Sequence, residues 1–135
     1  MTAAMTRAMG TFATTCRIEN HLDRTKAADV NLIVDTGSEC TWVPKRTLEE
    51  LGIAREKTMT FVMANGKRLS RGVGFAIIRI GATFTIDEVV FARDGDLALL
   101  GARALEGLNL TIDAARKRLI EAGPLLTGPL RDRRR

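Results

Sequence analysis

Apolar and polar residues alternate along much of the chain, and this pattern predicts β-strands rather than helices. Residues 10–19 alternate in this way and predict a strand with one wetter face. The polar run at 20–28 predicts a loop. Residues 29–34 are apolar and β-branched enough to predict a buried strand that runs into the next turn.

Later segments continue the pattern, with two short helical interruptions. Pro44 can begin a helix and Gly52 can end one, so residues 45–51 predict a brief helix. An Asn65-Gly66 pair favours a tight reversal, and residues 59–78 therefore predict a mobile hairpin. The other predicted elements are strands at 41–43, 58–63, 75–80 and 83–91, a helix at 102–107, and a terminal hairpin from 108–112 and 117–120. Short, regularly spaced strands of this kind predict an all-β fold with a closed β-barrel and one or two short helices.

The length and composition predict one soluble domain. The chain has 135 residues, of which 45% are hydrophobic and 27% are charged, and this is enough for one core. We expect a flexible N-terminus at 1–9, a folded domain at 10–122 and a flexible basic tail at 123–135. No apolar run approaches the roughly 18 residues of a membrane helix. The N-terminus lacks the apolar core of a secretory signal, so we expect a cytoplasmic protein with no membrane partner.

Much of the net charge of +5 comes from the end of the chain. Residues 131–135 contain four arginines and one aspartate, which leaves a body with a charge of +2. A short basic end is typical of a solvated tail, although such a tail can also attract nucleic acid or anionic lipid. The body does not interleave aromatic with basic residues, so nucleic-acid binding is not expected.

Two cysteines and one histidine limit the chemistry that is open to the chain. Cys16, Cys40 and His21 lack the fourth ligand and the local spacing of a zinc site. The cysteines are expected to be reduced thiols in a chain without an export signal. Because His21 lies in a polar, turn-like run, it is a poor candidate for a Ser-His-Asp or Cys-His enzyme.

The candidate chemistry lies in the run Val34-Asp35-Thr36-Gly37-Ser38, which follows an apolar strand. About sixty residues later comes Leu99-Leu100-Gly101, followed by a predicted short helix. An isolated Asp-Thr-Gly is often an ordinary turn, and Leu-Leu-Gly alone is often the end of a core strand, so it is their spacing that carries meaning. Thr41-Trp42-Val43-Pro44 and Ala64-Asn65-Gly66 extend the same pattern. Over residues 10–120 the chain resembles the retropepsin-like members of the aspartic protease clan, and among them the bacterial proteases of retroviral type.

The resemblance implies a role for each residue of the turn. Asp35 would supply a catalytic carboxylate, and Thr36 would hydrogen-bond across a two-fold axis to the partner's backbone. Gly37 would leave room for a second carboxylate and for the substrate backbone. Ser38 can donate a hydrogen bond to the Asp35 carboxylate, which would favour its charged form.

One such turn per chain implies a homodimer, in which Asp35 faces Asp35 of the partner subunit. Two adjacent carboxylates share one proton; the charged one activates a water, and the protonated one polarises the peptide carbonyl. The resemblance therefore implies an aspartic endopeptidase that uses no metal or other cofactor and cleaves extended peptides beneath the hairpin, which would act as a flap. The candidate substrate-binding residues are Ile33, Trp42, Val43, Ala64, Asn65, Gly66 and Leu99.

The chain departs from the retroviral pattern at two places. Retroviral members often have Arg directly after the Gly of the third element, whereas this chain has Ala102 there and Arg103 one residue later. Residues 121–135 do not resemble the terminal strand that joins retroviral dimers. A second hypothesis is therefore a protease-like binding or adaptor domain with little or no peptidase activity. A third is binding to an anionic surface through the Arg-rich tail.

Overall fold

Nine strands and two short helices make up residues 11–129, the part of the chain that the computed structural model describes. In chain order the strands are β1 (Ala13–Asn20), β2 (Asp23–Val34), β3 (Thr41–Pro44), β4 (Lys57–Val62), β5 (Arg68–Ile80), β6 (Thr83–Ala92), β7 (Leu99–Leu100), β8 (Leu110–Asp113) and β9 (Arg118–Glu121). The helices are α1 (Lys45–Glu50) and α2 (Ala102–Leu108). The predicted all-β class with short helices is confirmed.

Backbone pairing arranges seven of the strands in the order β1-β2-β7-β3-β6-β5-β4. β1 also pairs with β5, through the register Ile18 opposite Ile78, so the strands from β1 to β5 in that order form a closed circuit. β4 lies outside this circuit and pairs with the first half of β5 as a hairpin. β8 and β9 form a separate two-stranded sheet, which is the predicted terminal hairpin.

Two apolar clusters lie on opposite faces of the strands, because successive residues of a strand point to opposite sides. Val89 and Leu100 belong to the main core, while their neighbours Val90 and Leu99 belong to a second core. The main core is built from strands of the circuit and from both helices. The second core consists of Cys40, Trp42, Val73, Val90, Ala92 and Leu99.

Local sequence signals account for the ends of several elements. Pro44 precedes the first residue of α1, and Gly52 follows that helix with a φ of +71°, a value that favours glycine. Leu48 is fully buried on α1, so this short helix is held by packing rather than by its own hydrogen bonds. Gly66 reverses the β4–β5 hairpin with a φ of +83°. The predictions for α1 and for this reversal are confirmed.

The prediction of a loop at residues 20–28 is wrong. β2 begins at Asp23 and pairs with β1 along most of its length, from Asn20 opposite Asp23 to Ala13 opposite Ile33. Residues 23–26 are all polar and are exposed in the structure. They therefore lack the alternation of apolar and polar residues from which a strand is predicted. Backbone pairing with β1 makes this segment a strand.

Some of the predictions for the two ends of the chain concern residues outside the described range. The flexible N-terminus at 1–9 and the Arg-rich end at 131–135 lie outside them, and the location in the cytoplasm stays a prediction. Residues 122–129 form neither helix nor strand, and Leu125 and Leu126 there are exposed. Within residues 11–129, neither helix has the length and apolar character that crossing a membrane requires.

Candidate active site

Asp35 lies at the end of β2, where the strand leaves the closed circuit. β2 runs parallel to β7, with Ile33 opposite Leu99 and Val34 opposite Leu100. The backbone N–H of Asp35 donates to the carbonyl oxygen of Leu100 at 3.0 Å, which extends this pairing by one step. The Asp35 side chain is half-buried. The spacing of the Asp-Thr-Gly and Leu-Leu-Gly motifs thus corresponds to direct contact between them.

The turn after Asp35 folds back onto the carboxylate. The backbone N–H of Gly37 donates to Asp35 Oδ1 at 2.9 Å, and the N–H of Ser38 donates to the Asp35 carbonyl oxygen at 3.2 Å. A Cβ atom at position 37 would lie 3.1 Å from Asp35 Oδ1, which is tighter than about nine in ten real contacts of this kind. Glycine at this position therefore lets the amide approach the carboxylate closely. Thr36 and Gly37 are both exposed.

Ser38 does not make the hydrogen bond that the sequence predicts. Its hydroxyl donates to the carbonyl oxygen of Cys40 at 2.8 Å instead of to the Asp35 carboxylate. This bond spans two residues within the same loop and helps to turn the chain into β3. Ser38 therefore supports the backbone of the loop in this chain, while the backbone N–H of Gly37 donates to the Asp35 carboxylate.

The segment that leads into α2 holds the Asp35 loop in place through backbone hydrogen bonds. The N–H of Ala102 donates to the Ser38 carbonyl at 2.8 Å, and the N–H of Arg103 donates to the Glu39 carbonyl at 3.1 Å. The N–H of Gly101 donates to Thr41 Oγ1 at 3.0 Å, and Thr41 is fully buried. The sequence analysis missed Thr41 as a site residue, and only its position directly before Trp42 hinted at it.

Arg103, one residue after Ala102, connects α2 to two other segments of the chain. Its guanidinium donates to Glu88 on β6 at 2.8 Å and to Glu39 in the Asp35 loop at 3.4 Å. Lys57 at the start of β4 also pairs with Glu88, and this hydrogen bond holds the pKa of Glu88 below its usual value. The network thus connects α2, the Asp35 loop and the base of the β4–β5 hairpin.

Three of the predicted substrate-binding residues meet at the second core. Leu99 and Trp42 belong to it and pair directly across β7 and β3, and Ile33 packs against it. The Trp42 ring lies 4.9 Å from the ring of Phe61 on β4, measured between centroids. Val43 is wrongly placed by the prediction, because its side chain points to the opposite face and is completely buried in the main core.

The other three predicted residues lie at the far end of the flap hairpin, which we define as β4, the turn at 63–67 and residues 68–73 of β5. Ala64, Asn65 and Gly66 are all exposed at this turn. Asn65 Oδ1 accepts the backbone N–H of Lys67 at 2.9 Å, which stabilises the reversal. Behind the turn, Met59, Phe61 and Leu69 pack against the second core. The inner face of the flap hairpin is therefore largely apolar.

The remaining reactive side chains lie away from this loop or are shielded. Burial raises the pKa of Cys16 to about 12 and also raises the pKa of Cys40. Both are free thiols, and His21 is exposed in the β1–β2 turn. Across residues 11–129, no group of three or more His, Cys, Asp or Glu side chains is placed to hold a metal ion.

A closed strand circuit that carries one Asp-Thr-Gly loop against a Leu-Leu-Gly strand, with a hairpin beside it, defines a retropepsin-like aspartic protease fold. The chain belongs to the family described as gag-polyprotein putative aspartyl protease, whose model matches residues 24–107. The predicted resemblance is thereby confirmed.

Solved structures that are similar to the chain include a viral and a bacterial protease. The solution structure of simian foamy virus (mac) protease superposes with a TM-score of 0.50 and 18% identity, over 70% of this chain and 92% of that one. The crystal structure of a retropepsin-like aspartic protease from Rickettsia conorii gives a TM-score of 0.49 and 21% identity, over 77% of each chain. No curated protein sequence matches the chain. At sequence identities this low, these similarities show a shared fold and nothing about activity.

Proposed function

We propose that the protein is an aspartic endopeptidase that is active as a homodimer and hydrolyses extended peptide segments. The observation that carries the proposal is the placement of Asp35. Its backbone is tied to Leu100 and its carboxylate accepts the N–H of Gly37, on a loop whose next two residues are exposed. A carboxylate held in this way at the end of a rigid strand is suited to meet a reacting carbonyl.

Pairing of two chains completes the proposed site. Each chain contributes one Asp-Thr-Gly turn, so a two-fold axis beside Thr36 brings Asp35 near Asp35 of the partner subunit. The exposure of Thr36 supports this, because its hydroxyl is open to hydrogen-bond to the backbone of a second copy. An open groove beside Thr36 is lined by Ala102, Leu105, Leu110 and Ile112 among others, and this apolar surface would be covered on association.

The paired carboxylates would share one proton, since two adjacent negative charges repel. The ionised carboxylate takes a proton from a water as that water's oxygen bonds to the peptide carbonyl carbon. The protonated carboxylate gives its proton to the carbonyl oxygen, so that an uncharged diol forms. The protonated carboxylate then gives its proton to the amide nitrogen while the ionised one takes a proton from a diol hydroxyl, and the C–N bond breaks to leave a carboxylic acid and an amine. Protein carboxylates supply every proton transfer in this scheme.

An extended peptide would lie between the Asp35 loop and the turn of the flap hairpin. Ile33 is partly exposed and would offer apolar surface next to the loop, while Leu99 and Trp42 are buried beside it in the second core. The backbone of residues 64–66 would offer hydrogen-bonding groups from above. Closure of the flap would exclude water from the reacting bond.

Cleavage of a peptide library by wild type and by Asp35→Asn tests the proposal. The substitution keeps the shape of the side chain and removes the charge, so we expect a loss of about 10²–10⁴-fold or more. Asp29→Asn is a matched control, because Asp29 is exposed on the same strand, β2, and faces Arg17 across the pair with β1. It should cleave as wild type does.

Sedimentation of the same samples tests the dimer. Cleavage by a dimeric wild type and none by dimeric Asp35→Asn would support the proposal. A stable monomer that cuts no peptide at acidic or neutral pH would refute it and would favour the adaptor hypothesis. Equal cleavage by wild type and Asp35→Asn would remove Asp35 from the chemistry.

A further inference from the structure

Arg71 and Asp96 form an ion pair that joins the flap hairpin to the loop in front of β7. Arg71 Nε donates to Asp96 Oδ2 at 2.8 Å, and Arg71 Nη2 donates to Asp96 Oδ1 at 3.0 Å. Their side chains are only 11% and 13% exposed. Two parallel charge-assisted bonds fix both the distance and the relative orientation of the two groups. The pair is therefore a rigid connection between segments that are 25 residues apart.

The other hydrogen bonds of the pair tighten its surroundings. Arg71 Nη1 donates to the carbonyl oxygen of Ser70 at 3.0 Å. Asp96 Oδ2 also accepts the backbone N–H of Arg93 at 2.8 Å, and the N–H of Asp96 donates back to the Arg93 carbonyl at 2.9 Å. Asp96 thus closes its own loop, residues 93–98, which we call the wall loop. The hydrogen bond from Arg71 holds the pKa of Asp96 below its usual value, so the pair stays ionised at neutral pH.

Arg71 points to the inner face of the flap hairpin. Leu69, Arg71 and Val73 alternate along β5, and they share a face because side chains repeat every second residue. Leu69 packs against the second core and Val73 belongs to it. The guanidinium is therefore the one charged group that β5 places among the apolar side chains on this face between residues 68 and 73.

The wall loop leads directly to the segment that holds Asp35. The carbonyl oxygen of Ala98 accepts the N–H of Ile33 at 3.0 Å, and that of Leu100 accepts the N–H of Asp35 at the same distance. Movement of the flap hairpin relative to the wall loop must break the pair between Arg71 and Asp96 or carry the wall loop along. The pair consequently links the position of the flap hairpin to β7 and, through β7, to the end of β2 that carries Asp35.

We propose that Arg71 and Asp96 are positioning residues for peptide cleavage, whose ion pair fixes the separation between the inner face of the flap hairpin and the wall loop. This inference rests on the proposed protease function. Neither side chain touches the reacting atoms. Both act by holding in place the apolar side chains that lie next to the ion pair. Loss of the pair therefore weakens the binding of the peptide more than the chemical step.

Kinetics and amide exchange of Arg71→Gln test the inference. With a quenched fluorescent peptide chosen from the library, KM should rise about tenfold while kcat stays within about twofold of wild type. In the protein without peptide, hydrogen exchange of the amides at residues 57–73 should become at least about tenfold faster. Arg46→Gln is the control, because its ion pair with Glu50 on α1 is long, at 3.7 Å, and largely exposed. It should leave both readouts unchanged.

A double variant separates positioning from folding. Arg71→Gln alone leaves a buried carboxylate without its cation, and this can destabilise the whole fold. Arg71→Gln with Asp96→Asn removes both charges, so it should recover stability against urea and keep the raised KM. Recovery of KM together with stability would overturn the inference, as would unchanged flap exchange in Arg71→Gln. If wild type cleaves no peptide, the proposed function fails, while the exchange experiment still decides whether the pair holds the flap.

Discussion

Gly101 gives a direct test of how the Asp35 loop is held in place. A Cβ atom at this position would lie 2.3 Å from the carbonyl oxygen of Cys40 and 2.8 Å from that of Glu39. Ordinary contacts begin at 3.4 Å, so Gly101→Ala forces the loop backbone to retreat by about 1 Å. Overpacking of this kind destabilises by about 1–3 kcal/mol. A 1 Å displacement of a catalytic group lowers activity by about 10²-fold.

Urea denaturation and peptide cleavage would measure the two effects separately. Gly128→Ala is a matched control, because a Cβ atom there would have nothing within 4 Å. We expect Gly101→Ala to lower the urea midpoint at an unchanged slope and to cut far more slowly. Gly128→Ala should match wild type in both. If Gly101→Ala kept the wild-type midpoint and rate, the close approach of position 101 to Cys40 would have no part in placing Asp35.

Three further predictions concern residues of the strand circuit and of the flap hairpin. Hydrogen bonding from Arg79 lowers the pKa of buried Glu19, so the stability from this carboxylate is present above its unfolded pKa of about 4.3 and is lost as the pH falls through its folded value. Glu19→Gln should therefore flatten the acid decline of the urea midpoint, and an unchanged decline would contradict this. Phe61→Ala should shift the fluorescence of Trp42 to the red by exposing its ring, whereas unchanged emission would show that the contact does not shield it. The raised pKa of Cys16 predicts that iodoacetamide modifies this thiol only after unfolding, as followed by mass spectrometry, and equally fast alkylation of native protein would refute this.

Much of the fold could be predicted where a short stretch of sequence determines its own conformation. Pro44 and Gly52 delimit α1, and the Asn65-Gly66 pair reverses the flap hairpin. The alternation of apolar and polar residues predicted most strands, because one face of each strand is buried. Asp35 could be found because its motif is followed about sixty residues later by Leu99-Leu100-Gly101, and the strands that carry the two motifs pair with each other.

The rest depended on partners that are distant along the chain. The start of β2 is a strand only because β1 lies beside it, and its own exposed residues carry no periodic signal. Nothing local marks Arg71 and Asp96 as a pair either. Ser38 is the exception, because its two candidate acceptors, the Cys40 carbonyl and the Asp35 carboxylate, lie in the same loop and only the shape of the turn decides between them. Side-chain contacts between remote segments require the folded backbone before they can be predicted.

The loop that presents Asp35 is tied to the chain around Leu100 mainly through main-chain N–H and carbonyl groups. Every amino acid except proline offers the same two groups, so most substitutions along these segments leave the ties intact. Sequence can therefore drift widely while the carboxylate keeps its place, provided that glycine remains where a side chain would collide. An identity of only 18% to the foamy virus protease over a shared fold is the outcome that such an architecture permits.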